Sequence, residues 1–283
     1  MSAQPFSIGF SPCPNDTFIF HGLVSGLVST PGFTLQPPVL ADVESLNQWA
    51  MEGRLDITKL SFHALGHVLD HYTLLSAGAA LGRGCGPLLI SREELDPAGL
   101  SQQTIAVPGH FTTAAMLLRL CYPGCGSVRA MRFDQIMPAL AAGDVAAGVI
   151  IHESRFTYPN YGLRLITDLG EWWEKTTGHP IPLGGIAARR SLGSETIAAI
   201  EMAIRDSLRH AYARPERAQA YIRSHAQELD DHVIRSHIGL YVNEYSLDLG
   251  REGMAAVQEF LMRGVAGGVF ADLPRFPVKG DVS

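Results

Sequence analysis

The run GVIIHESRFTY at residues 148–158 passes abruptly from an apolar segment that must be buried to His152, Glu153, Ser154 and Arg155. An apolar run of this length after a Gly-Asp turn reads as a central strand of a parallel sheet. In open α/β sheets ligands gather at the carboxyl ends of the strands, so His152 stands where chemistry is expected. An imidazole that is neutral near pH 7 can accept a proton there. A lone histidine at a strand end is more often a hydrogen-bonded structural residue, and the residue type alone does not choose between the two.

Two helix starts follow proline turns, Asn15-Asp16-Thr17 and Thr112-Thr113. Free backbone N–H groups and the positive end of the helix dipole can receive a carboxylate at such a start. Thr112 and Thr113 suit this better because their hydroxyls add donors without a charge opposing an anion, although simple capping explains the same residues. Thr58, Lys59 and Ser61 are expected at the carboxyl end of their own strand, the counterpart of His152, and a lysine in an apolar strand must be paired, snorkelled or used for binding.

Other reactive types carry less. Cys13 precedes a helix start whose dipole could lower its pKa, but it is flanked by two prolines and no neighbouring histidine supports a Cys-His pair. His63, His67 and His71 have helical i, i+4, i+8 spacing that could hold a metal; with no Glu completing an HExxH pattern, an exposed polar face is the better reading. Trp172 and Trp173 could stack on an aromatic ligand or pack a hinge. Cys121 and Cys125 bracket a Tyr-Pro-Gly turn with no further zinc ligands nearby. All four cysteines read as reduced thiols.

These residues need a scaffold of alternating strands and helices. Strands are expected near residues 6–10, 34–40, 56–61, 73–76 and 86–91, with helices from about Thr17 and from Asp42. Asn15 or Asp16 is the expected cap of the first helix. A second cycle repeats the order: strand 105–107, a Pro-Gly turn, helix 112–120, strand 128–133, helix 134–142 and strand 146–151. The chain then returns through residues 183–188 into a helical remainder, in which Ile197, Ile200, Ile204, Leu208 and Ala211 mark one face of a long amphipathic helix. The economical arrangement is α/β and two-lobed with a ligand cleft between the lobes: residues 1–100 together with 186–283 in one lobe, and 101–185 in the other.

The chain has 283 residues, 46% hydrophobic and 18% charged, with a net charge of -6. That length and balance suit a folded protein with sizeable cores. No Lys/Arg-rich run or aromatic-basic interleaving favours nucleic acid as a partner. No segment approaches the roughly 18 apolar residues of a membrane span, and the amino-terminal residues lack the pattern of an export signal, so a cytoplasmic location is expected. The apolar faces of the long helices also suit a homodimer.

The strings SPCPNDTFIF, EGRLDITKLS, ALGRGCGPLL, the TTA after Pro108-Gly109, and IIHESRFTYP followed by YGL together resemble the 1,4-dihydroxy-6-naphthoate synthases of the futalosine route to menaquinone. The resemblance spans nearly the whole chain. It implies a fold like that of type II periplasmic binding proteins, and a carbon-carbon lyase releasing 1,4-dihydroxy-6-naphthoate from cyclic dehypoxanthinylfutalosine, a small-molecule carboxylate. No metal or organic cofactor is implied. Matched by motif, the proton-accepting histidine falls on His152, and the substrate-contacting segments fall on Ile57, Thr58 and Lys59 and on Thr112 and Thr113. Two rivals remain: a non-catalytic carboxylate-binding protein of the same fold, against which the missing export signal counts, and an enzyme centred on Cys13.

Overall fold

A computed structural model describes residues 5–226 and 230–273. In chain order the first elements are β1 (Ile8–Phe10), α1 (Pro14–Val24), β2 (Val39–Leu40), α2 (Val43–Met51), β3 (Ile57–Ser61), α3 (Phe62–Val68), β4 (Tyr72–Leu74) and β5 (Ala80–Gly82). The second series is β6 (Leu88–Ser91), β7 (Thr104–Val107), α4 (Thr113–Cys121), β8 (Ser127–Ala130), α5 (Phe133–Ala142), β9 (Ala147–Ile150), α6 (Ser154–Thr157), β10 (Arg164–Asp168) and α7 (Leu169–Thr177). The chain ends its described part with β11 (Ile181–Arg189), α8 (Ser194–Ala213), α9 (Pro215–His225), α10 (Asp231–Tyr241), α11 (Glu244–Leu247) and α12 (Gly250–Ala266).

The strands form two sheets with matching order, β2-β1-β3-β11-β4 with β5 also paired to β11, and β8-β7-β9-β6-β10. In each, the first three strands are parallel and the fourth is antiparallel to its neighbours. That fourth strand is exchanged between lobes. Strand β6 follows the first series yet completes the second sheet, and β11 follows the second series yet completes the first. The crossings therefore fall before Leu88 and before Ile181, earlier than the boundaries at residues 100 and 185 that the second cycle and the return segment suggest. Crossing strands look like any buried strand in sequence, and only pairing reveals the lobe to which they belong.

Other departures have local causes. Pro37 and Pro38 remove two ladder donors, so the expected strand 34–40 shrinks to Val39–Leu40 plus one bridge between Phe6 and Leu35. Helix α1 begins at Pro14 with Cys13 at the N-cap, because proline fits the first helical turn, where no N–H is needed. Asn15 and Asp16 thus lie inside the first turn rather than capping it. Helix α3 stops at Val68, which takes His71 off the helix and breaks the three-histidine face. Edge strand β10 and helix α7 were not foreseen; β10 is largely exposed and lacks the apolar run of its neighbours.

Three apolar clusters hold the fold. One lies between the first sheet and α1, α8, α9 and α10, built on Phe10, Phe20, Ile204 and Leu208. A smaller one places α5 on the outer face of the second sheet. The largest joins the lobes, packing Leu65 of α3, Met116 of α4, Trp173 of α7 and Phe260 of α12 together. Helix α12 accordingly bridges both lobes, whereas α8, α9 and α10 return to the first. Trp173, fully buried, donates its indole N–H to the Pro180 carbonyl at 3.1 Å, so it serves packing. No helix among the described residues is long and apolar enough to cross a membrane.

Burial also leaves several histidines neutral in the folded state. His63 is 2% exposed, and burial lowers its pKa from 6.5 to about 4. His237 is pushed well below its ordinary value by burial and then by His152. Below pH 6.5 the unfolded chain binds protons that these folded-state groups refuse, so stability falls as pH drops toward 4. For His63 alone the loss at pH 5 is on the order of 2 kcal/mol relative to pH 7. Urea midpoints at pH 7 and pH 5 should show the decrease, and replacing His63 by Gln should reduce it.

Candidate active site

The carboxyl ends of β1, β3, β7 and β9 converge on one cavity between the lobes. Its walls are mostly apolar, with Leu46, Leu60 and Leu183 among them, and its polar groups come from both lobes. His152 enters from β9, two residues past the strand's end. Its φ of 57° is the one positive value outside glycine among the described residues. Such backbone is uncommon for a side-chain-bearing residue and tends to mark functional positions. Phe133 meets the imidazole edge-on at 5.1 Å and His237 stacks on it at 5.9 Å. Neither ring nitrogen has a hydrogen-bond partner among the described residues, so both remain available to a ligand. Burial lowers the His152 pKa to about 4; Asp16 pulls it up and Lys59 pushes it down.

Opposite His152 lies a buried ion pair. Lys59 Nζ is 3.0 Å from Asp16 Oδ1, with the two side chains 6% and 3% exposed. The lysine also donates to the Gly78 carbonyl at 2.9 Å. Asp16 is further held by the Ser11 hydroxyl at 2.7 Å and the Ser11 N–H at 3.2 Å. The Asn15 amide donates to Asp16 at 3.0 Å while its carbonyl oxygen meets His237 Nε2 at 2.9 Å. His237 Nδ1 lies 3.7 Å from a Glu153 carboxylate oxygen. A continuous polar chain therefore runs from β3 through the start of α1 to α10 and the residue after His152.

The start of α4 forms another wall. The Thr112 hydroxyl donates to the Gly109 carbonyl at 2.8 Å and accepts from the Ala115 N–H, and the Thr113 hydroxyl donates to the Leu183 carbonyl at 2.6 Å. Both hydroxyl protons are thereby committed within the protein, contrary to their expected use as donors to an anion. The backbone N–H groups of Thr113 and Ala114, in the first turn, have no intrahelical acceptor and remain for a ligand. The preceding turn is clasped from the first lobe. Glu44 of α2 accepts the N–H of His110 at 2.8 Å and of Phe111 at 3.2 Å, Asn47 donates to the Phe111 carbonyl at 3.2 Å, and His63 meets the Thr112 carbonyl at 3.1 Å. Gly109 permits this approach, since a Cβ there would sit 2.3 Å from the Glu44 carboxylate.

His152, Lys59, Thr112 and Thr113 are thus brought to one cavity, whereas Ile57 and Thr58 do not line it. The cavity is at the carboxyl end of β3, and these two residues pair with Ile8 and Gly9 farther back along the sheet. Ile57 is packed in the first-lobe core, and the Thr58 hydroxyl donates to the Lys59 carbonyl. Cys13 does not line the cavity either; burial, then Glu153, raises its pKa well above the ordinary thiol value, the reverse of dipole activation. His67 packs against Phe270 and Phe111, and no group of three metal-binding side chains clusters among the described residues. The sequence reading missed Ser11, Cys85, His237 and Tyr241. For the last two a signal existed: polar aromatic residues four apart on α10, a spacing that shares one helix face with Ile234.

Two sheets of this order exchanging their fourth strands, with a cavity at the converging strand ends, define the two-lobed fold of periplasmic binding proteins. A Candida albicans protein described as having the generic periplasmic binding protein fold superposes with TM-score 0.65 at 12% identity, over 96% of this chain and 92% of that one. The ligand-binding component of an ABC-type import system from Staphylococcus aureus does so with TM-score 0.71 at 14% identity, over 97% and 95%. These likenesses are of fold alone. A family profile described as menaquinone biosynthesis matches residues 6–266. The 1,4-dihydroxy-6-naphthoate synthase of Thermus thermophilus is 53% identical over 272 residues, 96% of this chain and 98% of that protein. That of Streptomyces coelicolor is 48% identical over 274 residues, 95% and 96%. The chain belongs to this 1,4-dihydroxy-6-naphthoate synthase family of menaquinone biosynthesis.

The buried ion pair supplies a test of the site's construction. Replacing Lys59 by Met leaves Asp16 charged in an apolar wall and should destabilise the protein by about 3–5 kcal/mol. A Lys59→Met/Asp16→Asn double variant should regain much of that loss, as read from urea unfolding.

Proposed function

We propose that the protein is a carbon-carbon lyase that converts cyclic dehypoxanthinylfutalosine to 1,4-dihydroxy-6-naphthoate, with His152 as proton acceptor. The observation that carries this reading is His152 itself: a cavity-lining neutral imidazole in strained backbone, walled by Phe133 and His237, with neither ring nitrogen hydrogen-bonded among the described residues. Removal of a substrate proton starts the fragmentation, and formation of the aromatic ring draws it forward. A general base of this kind contributes about 10²- to 10⁴-fold in rate. The Thr113 and Ala114 N–H groups and the dipole of α4 receive the substrate carboxylate, and Thr112 and Thr113 hold that helix start in place. Lys59, committed to Asp16 and the Gly78 carbonyl, adds positive charge across the cavity. Ile57 and Thr58 contribute by setting the position of Lys59 on β3. In this reading the enzyme acts on a free small molecule in the cytoplasm.

Incubation with cyclic dehypoxanthinylfutalosine should release the naphthoate, detectable by chromatography and ultraviolet absorbance. His152→Ala should retain the fold and bind substrate but lose about 10²-fold or more in kcat. A variant of full activity removes the base assignment, and a folded wild type that binds substrate without turnover returns the protein to the carboxylate-binding class.

The pH dependence follows from the lowered pKa. His152 accepts a proton only when neutral, and with a pKa of about 4 it is neutral throughout the physiological range. The kcat/KM profile should therefore be flat on the acid side from about pH 7 down to about pH 5 and decline only near pH 4, whereas an ordinary histidine would halve the rate near pH 6.5.

A further inference from the structure

Tyr241, the last residue of α10, lines the same cavity as His152 although it comes from the carboxyl-terminal helices. It is 6% exposed. Its ring packs against His237 at 4.7 Å, and His237 in turn stacks on His152 at 5.9 Å, so the phenol and the imidazole flank one intervening ring. Several neighbouring side chains of the cavity have already directed protons within the protein: Ser11 to Asp16, Thr113 to the Leu183 carbonyl, and Lys59 two of its three to Asp16 and the Gly78 carbonyl. The Tyr241 hydroxyl has no hydrogen-bond partner among the described residues. It belongs to a residue lining the cavity, so a ligand held there can complete it. Burial raises its pKa above the ordinary phenol value, with Cys85, Glu153 and Cys13 adding to the rise and Arg155 opposing it, so the group stays a neutral donor.

Resting on the function proposed above, we infer that Tyr241 is a catalytic residue whose O–H donates a hydrogen bond to the substrate oxygen that becomes a ring hydroxyl of the product. When His152 withdraws a proton, the electron pair left behind moves toward an electronegative atom. An aryl oxygen of the forming dihydroxynaphthoate is the natural recipient, and a donor fixed in a dry apolar wall stabilises that developing charge more than water would. The hydrogen bond strengthens in the transition state without transferring its proton, so no co-reactant is required.

Tyr241→Phe keeps the ring packed on His237 and deletes only the hydroxyl. Steady-state kinetics should show kcat reduced about 10²-fold, with KM changed by less than about threefold. A kcat loss smaller than about tenfold overturns the inference. Should the variant fail to show native near-ultraviolet circular dichroism, 3-fluorotyrosine incorporated at position 241 serves instead. Its more acidic phenol donates a stronger hydrogen bond in the same packing, so kcat at neutral pH should change, and an unchanged kcat overturns the inference. If wild-type protein makes no naphthoate, the fault lies with the proposed function, and 1,4-dihydroxy-6-naphthoate titrated into both proteins then decides the matter for Tyr241. Weakening of about tenfold or more in Tyr241→Phe supports the contact, and a smaller change overturns it.

Discussion

The Asp16–Lys59 ion pair is the constraint around which the site is organised. A lysine in the middle of a buried strand and an aspartate in the first turn of a buried helix are each untenable alone. Together, with donors from Ser11 and Asn15, they fix the start of α1 against β3. Asn15 can then present its carbonyl oxygen to His237, and His237 can support His152 from beneath. A charge pair inside the first lobe thereby determines where a histidine from the second lobe rests.

The lobes are joined in ways that reinforce this placement. Exchange of β6 and β11 means that neither sheet is complete without a strand arriving from the other side of the molecule. The large shared core around Leu65, Met116, Trp173 and Phe260 seals the junction. Glu44, Asn47 and His63 then grip the turn before α4 through its backbone, which makes the start of that helix a joint product of both lobes. Movement of one lobe against the other would break these contacts, so opening and the positioning of the α4 start are physically coupled.

An apolar cavity gives the chemistry its character. Desolvation keeps His152 neutral, and it keeps phenol and thiol groups in the wall protonated. The same apolar walls strengthen any hydrogen bond aimed at charge that develops during reaction. Binding-protein architecture thus supplies a cleft with a helix start in its wall, and a neutral histidine past one strand end is what the proposed chemistry would use.

Much of this was legible in the sequence. The alternation of strands and helices, the doubling of the cycle, the burial of the run before His152 and the helix start at Thr112 all follow from local patterns: hydrophobic period, proline and glycine placement, and capping residues. Long unusual strings such as SPCPNDTFIF and HESRFTYP carried the family. What local pattern could not supply was partnership across the chain. Which sheet β6 and β11 complete, that Lys59 is answered by Asp16, that the threonine hydroxyls are turned inward, that Tyr241 reaches the cavity from α10 and that His237 of the same helix packs behind His152 are contacts between residues far apart in sequence. They depend on the packing of whole elements, which no single stretch encodes, and so the tertiary structure alone decided how the site is assembled.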